Sequence, residues 1–148
     1  MMNNENITLS SSTRSKLKKA GVIAVYFFGS RVSGNYFPFS DFDIGIVMEE
    51  KLLAGVSAIK LYNKIYDILS CEISDEIEGP KLDISFLQKA NPVLAMKAIQ
   101  EGEILFESSG KLRADFEEEI FKKYDDYRML QHEYEEANMR SFDNTIKE

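Results

Sequence analysis

The distribution of apolar residues along the chain divides it into short strand-like runs and longer helical stretches. Val22-Ile23-Ala24-Val25-Tyr26-Phe27-Phe28 is a continuous β-branched and aromatic run, the pattern of a strand buried on both faces. Asp41 to Met48 reads as a second strand and Lys81 to Leu87 as a third, with Ile104-Leu105-Phe106 able to add a short fourth. Between them, Leu52, Val56, Ile59, Tyr62, Tyr66 and Leu69 make one stripe of a helix over residues 52–69. Asn91 followed by Pro92 is a cap and first-turn pair, opening a helix that runs through Ile99 and closes at Glu101-Gly102. From Lys111 to about Arg140 a long helix carries Leu112, Phe116, Ile120, Tyr124, Tyr127, Tyr134 and Ala137 near helical spacing.

The polar positions mark the boundaries. Residues 1–9 are polar and read as flexible. Ser10, Ser11 and Ser12 offer N-caps to a short basic helix bearing Arg14, Lys16, Lys18 and Lys19, which Gly21 stops. Glu72 to Pro80 reads as an acidic loop. The stretch from Gly29 to Ser40, rich in Gly, Ser, Asn and Pro, must turn. Strands and helices alternate within one unit, with no internal repeat. The expected fold is therefore α/β or α+β, one domain over residues 1–148: a small mixed sheet flanked by helices, with residues 107–148 as a C-terminal helical extension.

Composition narrows the function classes. With 148 residues there is material for one core. A net charge of −7 argues against direct nucleic-acid binding, which leaves a basic footprint. The single cysteine, Cys71, excludes an internal disulfide and reads as a small buried residue rather than a nucleophile. No signal-peptide pattern opens the chain and no apolar run approaches the ~20 residues of a membrane span. The expectation is a soluble, cytoplasmic protein without membrane contact.

Chemistry concentrates between Gly29 and Asp43. A strand ending at Phe28 delivers Gly29-Ser30 to a turn, where glycine lets the backbone approach a ligand and a helix starting at Ser30 would present free N–H groups to phosphate. Ten residues later come Asp41 and Asp43, whose side chains share one face of a strand while Phe42 and Ile44 enter the core. Paired carboxylates repel unless a cation lies between them, and hard divalent ions take oxygen ligands of this kind. Asp83, on the next strand with Ser85 and opposite to Leu82, Ile84 and Phe86, could join the pair if the two strands are neighbours. Each piece alone is weak, since most Asp-x-Asp pairs are turn or surface carboxylates. Together, in this order, they suit a two-metal displacement at phosphorus.

Gly29-Ser30, ten residues, Asp41-Phe42-Asp43, and Asp83 on a later strand resemble the polymerase-β-type nucleotidyltransferase superfamily. The chain length and the stretch from Lys81 to Phe106 are most similar to its minimal nucleotidyltransferase branch, whose members are antitoxins encoded beside HEPN-domain toxins. The resemblance covers residues 20–107 and is looser in the last helix. It implies a polymerase-β-like palm. It also implies that Gly29 and Ser30 hold the triphosphate, that Asp41 and Asp43 ligate two Mg²⁺ ions, and that Asp83 ligates one and assists deprotonation of the acceptor. ATP would be the co-substrate and a tyrosine hydroxyl of a HEPN toxin the acceptor of AMP. Two rivals follow: an antitoxin that acts by binding alone, and an adenylyltransferase of small-molecule hydroxyls. Arg31 could touch phosphate or serve the surface. The only histidine, His132, lies too near Arg128 for the Arg…His motif of HEPN ribonucleases and reads as part of a solvated helix face.

Overall fold

The computed structural model describes residues 7–34, 41–55, 57–73 and 82–147. Its strands are β1 (Val22–Phe28), β2 (Phe42–Met48), β3 (Leu82–Phe86) and β4 (Glu103–Glu107). They form one mixed sheet in the order β3-β2-β1-β4: β1 pairs antiparallel with β2 and β4, and β2 pairs parallel with β3. This is the small mixed sheet expected from the sequence. β1 lies inside the sheet and is buried along its whole length, which accounts for its unbroken apolar run. A register shift between Val22 and Ala24 breaks strict alternation there.

Helices cover both faces. On one side lie α1 (Ser11–Lys19) and α4 (Ala58–Ile73), packed over Val25, Phe27, Phe42, Ile44, Ile46 and Ile84. On the other, α5 (Pro92–Glu101) and the start of α6 (Gly110–Lys147) pack over Ile23, Tyr26, Phe28 and Val47. The caps follow the sequence: the Ser10 hydroxyl accepts from the Thr13 N–H, and the Asn91 side chain accepts from the Val93 N–H with Pro92 in the first turn.

Three expectations are corrected. The helix over 52–69 is two helices, α3 (Glu50–Gly55) and α4, and Val56 lies outside the described residues. Gly55 ends the first, and the Leu61 N–H bonds to the Ser57 carbonyl as the second begins. The break resets the helical phase. The buried stripe is Leu61, Ile65, Leu69 and Ile73, while Ile59 is 73% exposed. Near the N-terminus, Leu9 is buried and Ile7 packs against the same cluster, so the flexible reading of residues 1–9 fails there; residues 1–6 lie outside the described residues. The Ser10 N–H also bonds to the Glu72 carboxylate at 3.0 Å, tying this segment to α4. Burial works to raise the Glu72 pKa, but the bonds from Ser10 outweigh it and hold the group below its ordinary value. Cys71, expected to be buried, is exposed on α4. Residues 74–80 of the expected acidic loop lie outside the described residues.

α6 is fastened at its base. The Tyr26 hydroxyl donates to Glu117 at 2.7 Å, and Arg113 bonds to both Glu117 and Glu107. Burial first, then the Glu117 carboxylate, pushes the Tyr26 phenol far above its ordinary range. Phe116 and Ile120 are buried against α5 and the sheet. Beyond Tyr127 the helix stands in solvent, reaching Lys147 rather than ending near Arg140.

Candidate active site

The end of β1 sets the geometry. Gly29 follows Phe28 with φ +86°, a left-handed conformation that disfavours any side chain. It caps the one-turn helix α2 (Ser30–Ser33), which Gly34 closes, again at φ +86°. The first N–H groups of such a turn have no intrahelical acceptor. The loop over 35–40 lies outside the described residues.

Beside this turn stand the carboxylates. Phe28 is the register partner of Asp43 on β2, and Asp43 is the register partner of Asp83 on β3. A Cβ placed on Gly29 would lie 2.0 Å from Asp43 Oδ2, so the glycine is required for space as well as for its dihedral. Phe42 and Ile44, on the opposite face, are buried and anchor β2. Asp41 precedes β2 and is exposed, as is Asp83, while Asp43 is half-buried between them. The three expected carboxylates and the Gly29-Ser30 turn therefore share one end of one face of the sheet.

Crowding shows in the electrostatics. Burial, and then the charges of Asp83 and Asp41, raise the Asp43 pKa above the ordinary carboxylate value. Like charges gathered in this way suit a cation. Among the described residues, no three acidic, histidine or cysteine side chains form a closed metal cage. An open carboxylate set fits Mg²⁺ in particular, which uses one or two carboxylates and completes its shell with water and substrate phosphate.

Two basic residues complete the surroundings. Arg31 is buried rather than on the surface, with its guanidinium 4.2 Å from the Phe42 ring centroid, so it braces the start of β2 against α2. Lys97 went unassigned from sequence. It lies on α5, and its charge lowers the Asp43 pKa against the pull of the neighbouring acids. The available signal was that Lys97 is the only basic residue of that helix.

Comparison with known proteins places this geometry. Residues 12–111 match the family model described as polymerase beta nucleotidyltransferase. Among solved structures, a chain from a toxin–antitoxin with AMP-PNP superposes with a TM-score of 0.62 at 18% identity, covering 88% of this chain and 99% of that one. A chain from a mutant of the toxin–antitoxin MntA-HpeT gives 0.62 at 14% identity, covering 93% and 99%. One from Shewanella oneidensis gives 0.56 at 14% identity, covering 88% and 99%. No curated protein matches. At these identities the structures speak to the fold alone, whereas the family model takes in well over half of the chain, from α1 to the start of α6: this protein belongs to the polymerase beta nucleotidyltransferase family.

Proposed function

We propose that the chain is an antitoxin that transfers AMP from ATP to a tyrosine hydroxyl of a HEPN-domain toxin and thereby silences it. The observation that carries this reading is the register of Asp43 against both Phe28 and Asp83, which puts the carboxylate set beside the Gly29-Ser30 turn. Further support comes from the structural neighbours, which belong to toxin–antitoxin assemblies, one of them with AMP-PNP.

In this reading Gly29 and Ser30 receive the triphosphate: the glycine by letting the backbone approach, the serine by its N–H and hydroxyl. Asp41, Asp43 and Asp83 hold two Mg²⁺ ions, which when bound neutralise charge on the triphosphate and favour the ionised acceptor. The tyrosine oxygen forms a bond to the α-phosphorus, the bond from that phosphorus to the bridging oxygen breaks, and pyrophosphate leaves. The phenolic proton departs on the side of Asp83. A phenol suits this step because its pKa of about 10 is far below that of an aliphatic hydroxyl.

The test is mass spectrometry of the toxin after incubation with this protein, ATP and Mg²⁺. One or more added AMP groups, lost when the modified tyrosine becomes phenylalanine, are expected. A toxin neutralised without modification would establish binding alone, the reading favoured by the apolar side chains that α6 exposes. Transfer to a small-molecule hydroxyl instead would establish the other rival.

A further inference from the structure

We propose that Lys97 is a substrate-binding residue whose ammonium takes the β- and γ-phosphates of ATP and stays with the pyrophosphate as it leaves. The proposal rests on the reading that this site accepts a nucleoside triphosphate, and it adds a residue from outside the Gly-Ser and aspartate motifs.

The placement of α5 is fixed by packing. Ala95, Met96 and Ala98 are buried against the sheet on both sides of Lys97 in sequence. The helix ends at Gly102, where a Cβ would lie 3.0 Å from the Phe27 carbonyl oxygen and 3.2 Å from Phe28 Cβ. α5 thus runs against the end of β1, just before the Gly29-Ser30 turn and beside the strand residue that pairs with Asp43. Lys97 itself is exposed. Its neighbour one turn on, Glu101, makes no ion pair with it, and among the described residues no carboxylate lies within salt-bridge distance of its ammonium. Yet its field reaches Asp43. Here is a mobile cation that overlooks the carboxylates at longer range, without being neutralised by them. A polyphosphate lying between the Gly29-Ser30 turn and α5 would carry its charge toward that ammonium, and lysine serves phosphate as a flexible point charge.

A purely electrostatic role, offsetting the charge on Asp43, makes a different prediction. Removing such a cation would tighten Mg²⁺ binding and affect all nucleotides alike. A phosphate ligand discriminates by phosphate number. Calorimetric titration of the full chain with ATP, pyrophosphate and AMP, each with Mg²⁺, separates the two. Lys97→Ala is expected to weaken ATP and pyrophosphate roughly tenfold, the worth of one charge-assisted bond, and to leave AMP unchanged. Lys97→Arg should restore most of the loss. Equal weakening of ATP and AMP, or no weakening of either, would overturn the proposal. If the unaltered protein binds ATP but leaves the toxin unmodified, the toxin reading fails while the Lys97 comparison still decides its own question. If it binds neither ATP nor pyrophosphate, both fall.

Discussion

At the scale of single residues, the site is a contest for space and charge around Asp43. Gly29 gives way to it sterically. Gly29→Ala would strain a backbone at φ +86° and drive a methyl group into the carboxylate. Transfer of AMP should fall at least ~100-fold, and stability should drop by roughly 1–2 kcal/mol, read from activity and urea melts together. Full activity in that variant would show that the Asp43 position is not needed. The charge at Asp43 has its own signature. Its pKa is raised in the fold, so the folded state holds a proton more firmly than the unfolded chain does. The stability this contributes is complete below the unfolded value of about 4 and is lost as pH rises through the folded one. At neutral pH the ionised group is therefore a burden on the metal-free protein. Asp43→Asn should abolish transfer yet melt higher than the unaltered chain in chelator at about pH 7. The gap should close toward pH 4, and Mg²⁺ should narrow it by stabilising the unaltered chain. A lower melting point for the variant at neutral pH would contradict this balance. Gly29, Ser30, Asp41, Asp43 and Asp83 were legible in the sequence because strand periodicity and spacing constrain them together. Lys97 was not, because its position depends on how α5 lies across the end of β1. Arg31 could be read either way until its stacking on Phe42 was seen.

At the scale of elements, legibility followed the strength of the local signal. β1 announced itself by seven consecutive buried residues. α5 was marked at both ends, by Asn91-Pro92 and by Gly102. The region over 50–73 was misread because an apolar stripe drawn from Leu52 to Leu69 assumes one unbroken helical phase. Gly55 and Ser57 interrupt it, and the second helix turns Leu61, Ile65, Leu69 and Ile73 inward. A pair of substitutions tests the corrected phase. Ile65→Ala removes a fully buried side chain and should cost about 2–5 kcal/mol. Ile59→Ala, on the exposed face, should stay within about 0.5 kcal/mol. Comparable losses in both would return the helix to the single phase expected from sequence. Leu9 escaped notice for a related reason: one apolar residue in a polar segment has no periodicity to declare it, and only its packing into the α1, α4 and β1 cluster shows its role.

At the scale of the whole molecule, the feature that the fold does not explain is the outer part of α6. Its base is held by Phe116, Ile120 and the Tyr26–Glu117–Arg113 bonds, so the core needs no more of it. Beyond that base, Leu130, Tyr134 and Met139 are 67%, 69% and 64% exposed, and Met129 and Phe142 are likewise in solvent. Helical spacing was legible there, but burial was not, because the same apolar pattern serves a core or a partner. A second copy of the chain is a poor occupant. An antiparallel helix centred on Tyr134 would set Arg128 against Arg140 and Glu133 against Glu135, both repulsive pairs. The toxin is the occupant that the proposed function supplies. Deleting residues from 125 onward removes this surface while keeping Phe116, Ile120 and every carboxylate of the site. The truncated protein should lose less than about 1 kcal/mol of stability, since the deleted part has little to lose from burial. It should bind ATP as the full chain does and fail to capture the toxin in a pull-down or by calorimetry. Because capture brings the tyrosine to the site, AMP transfer at low toxin concentration should fall with it and recover in part as the concentration rises. Normal capture by the truncated protein would move the contact off α6, to the rim of the site itself.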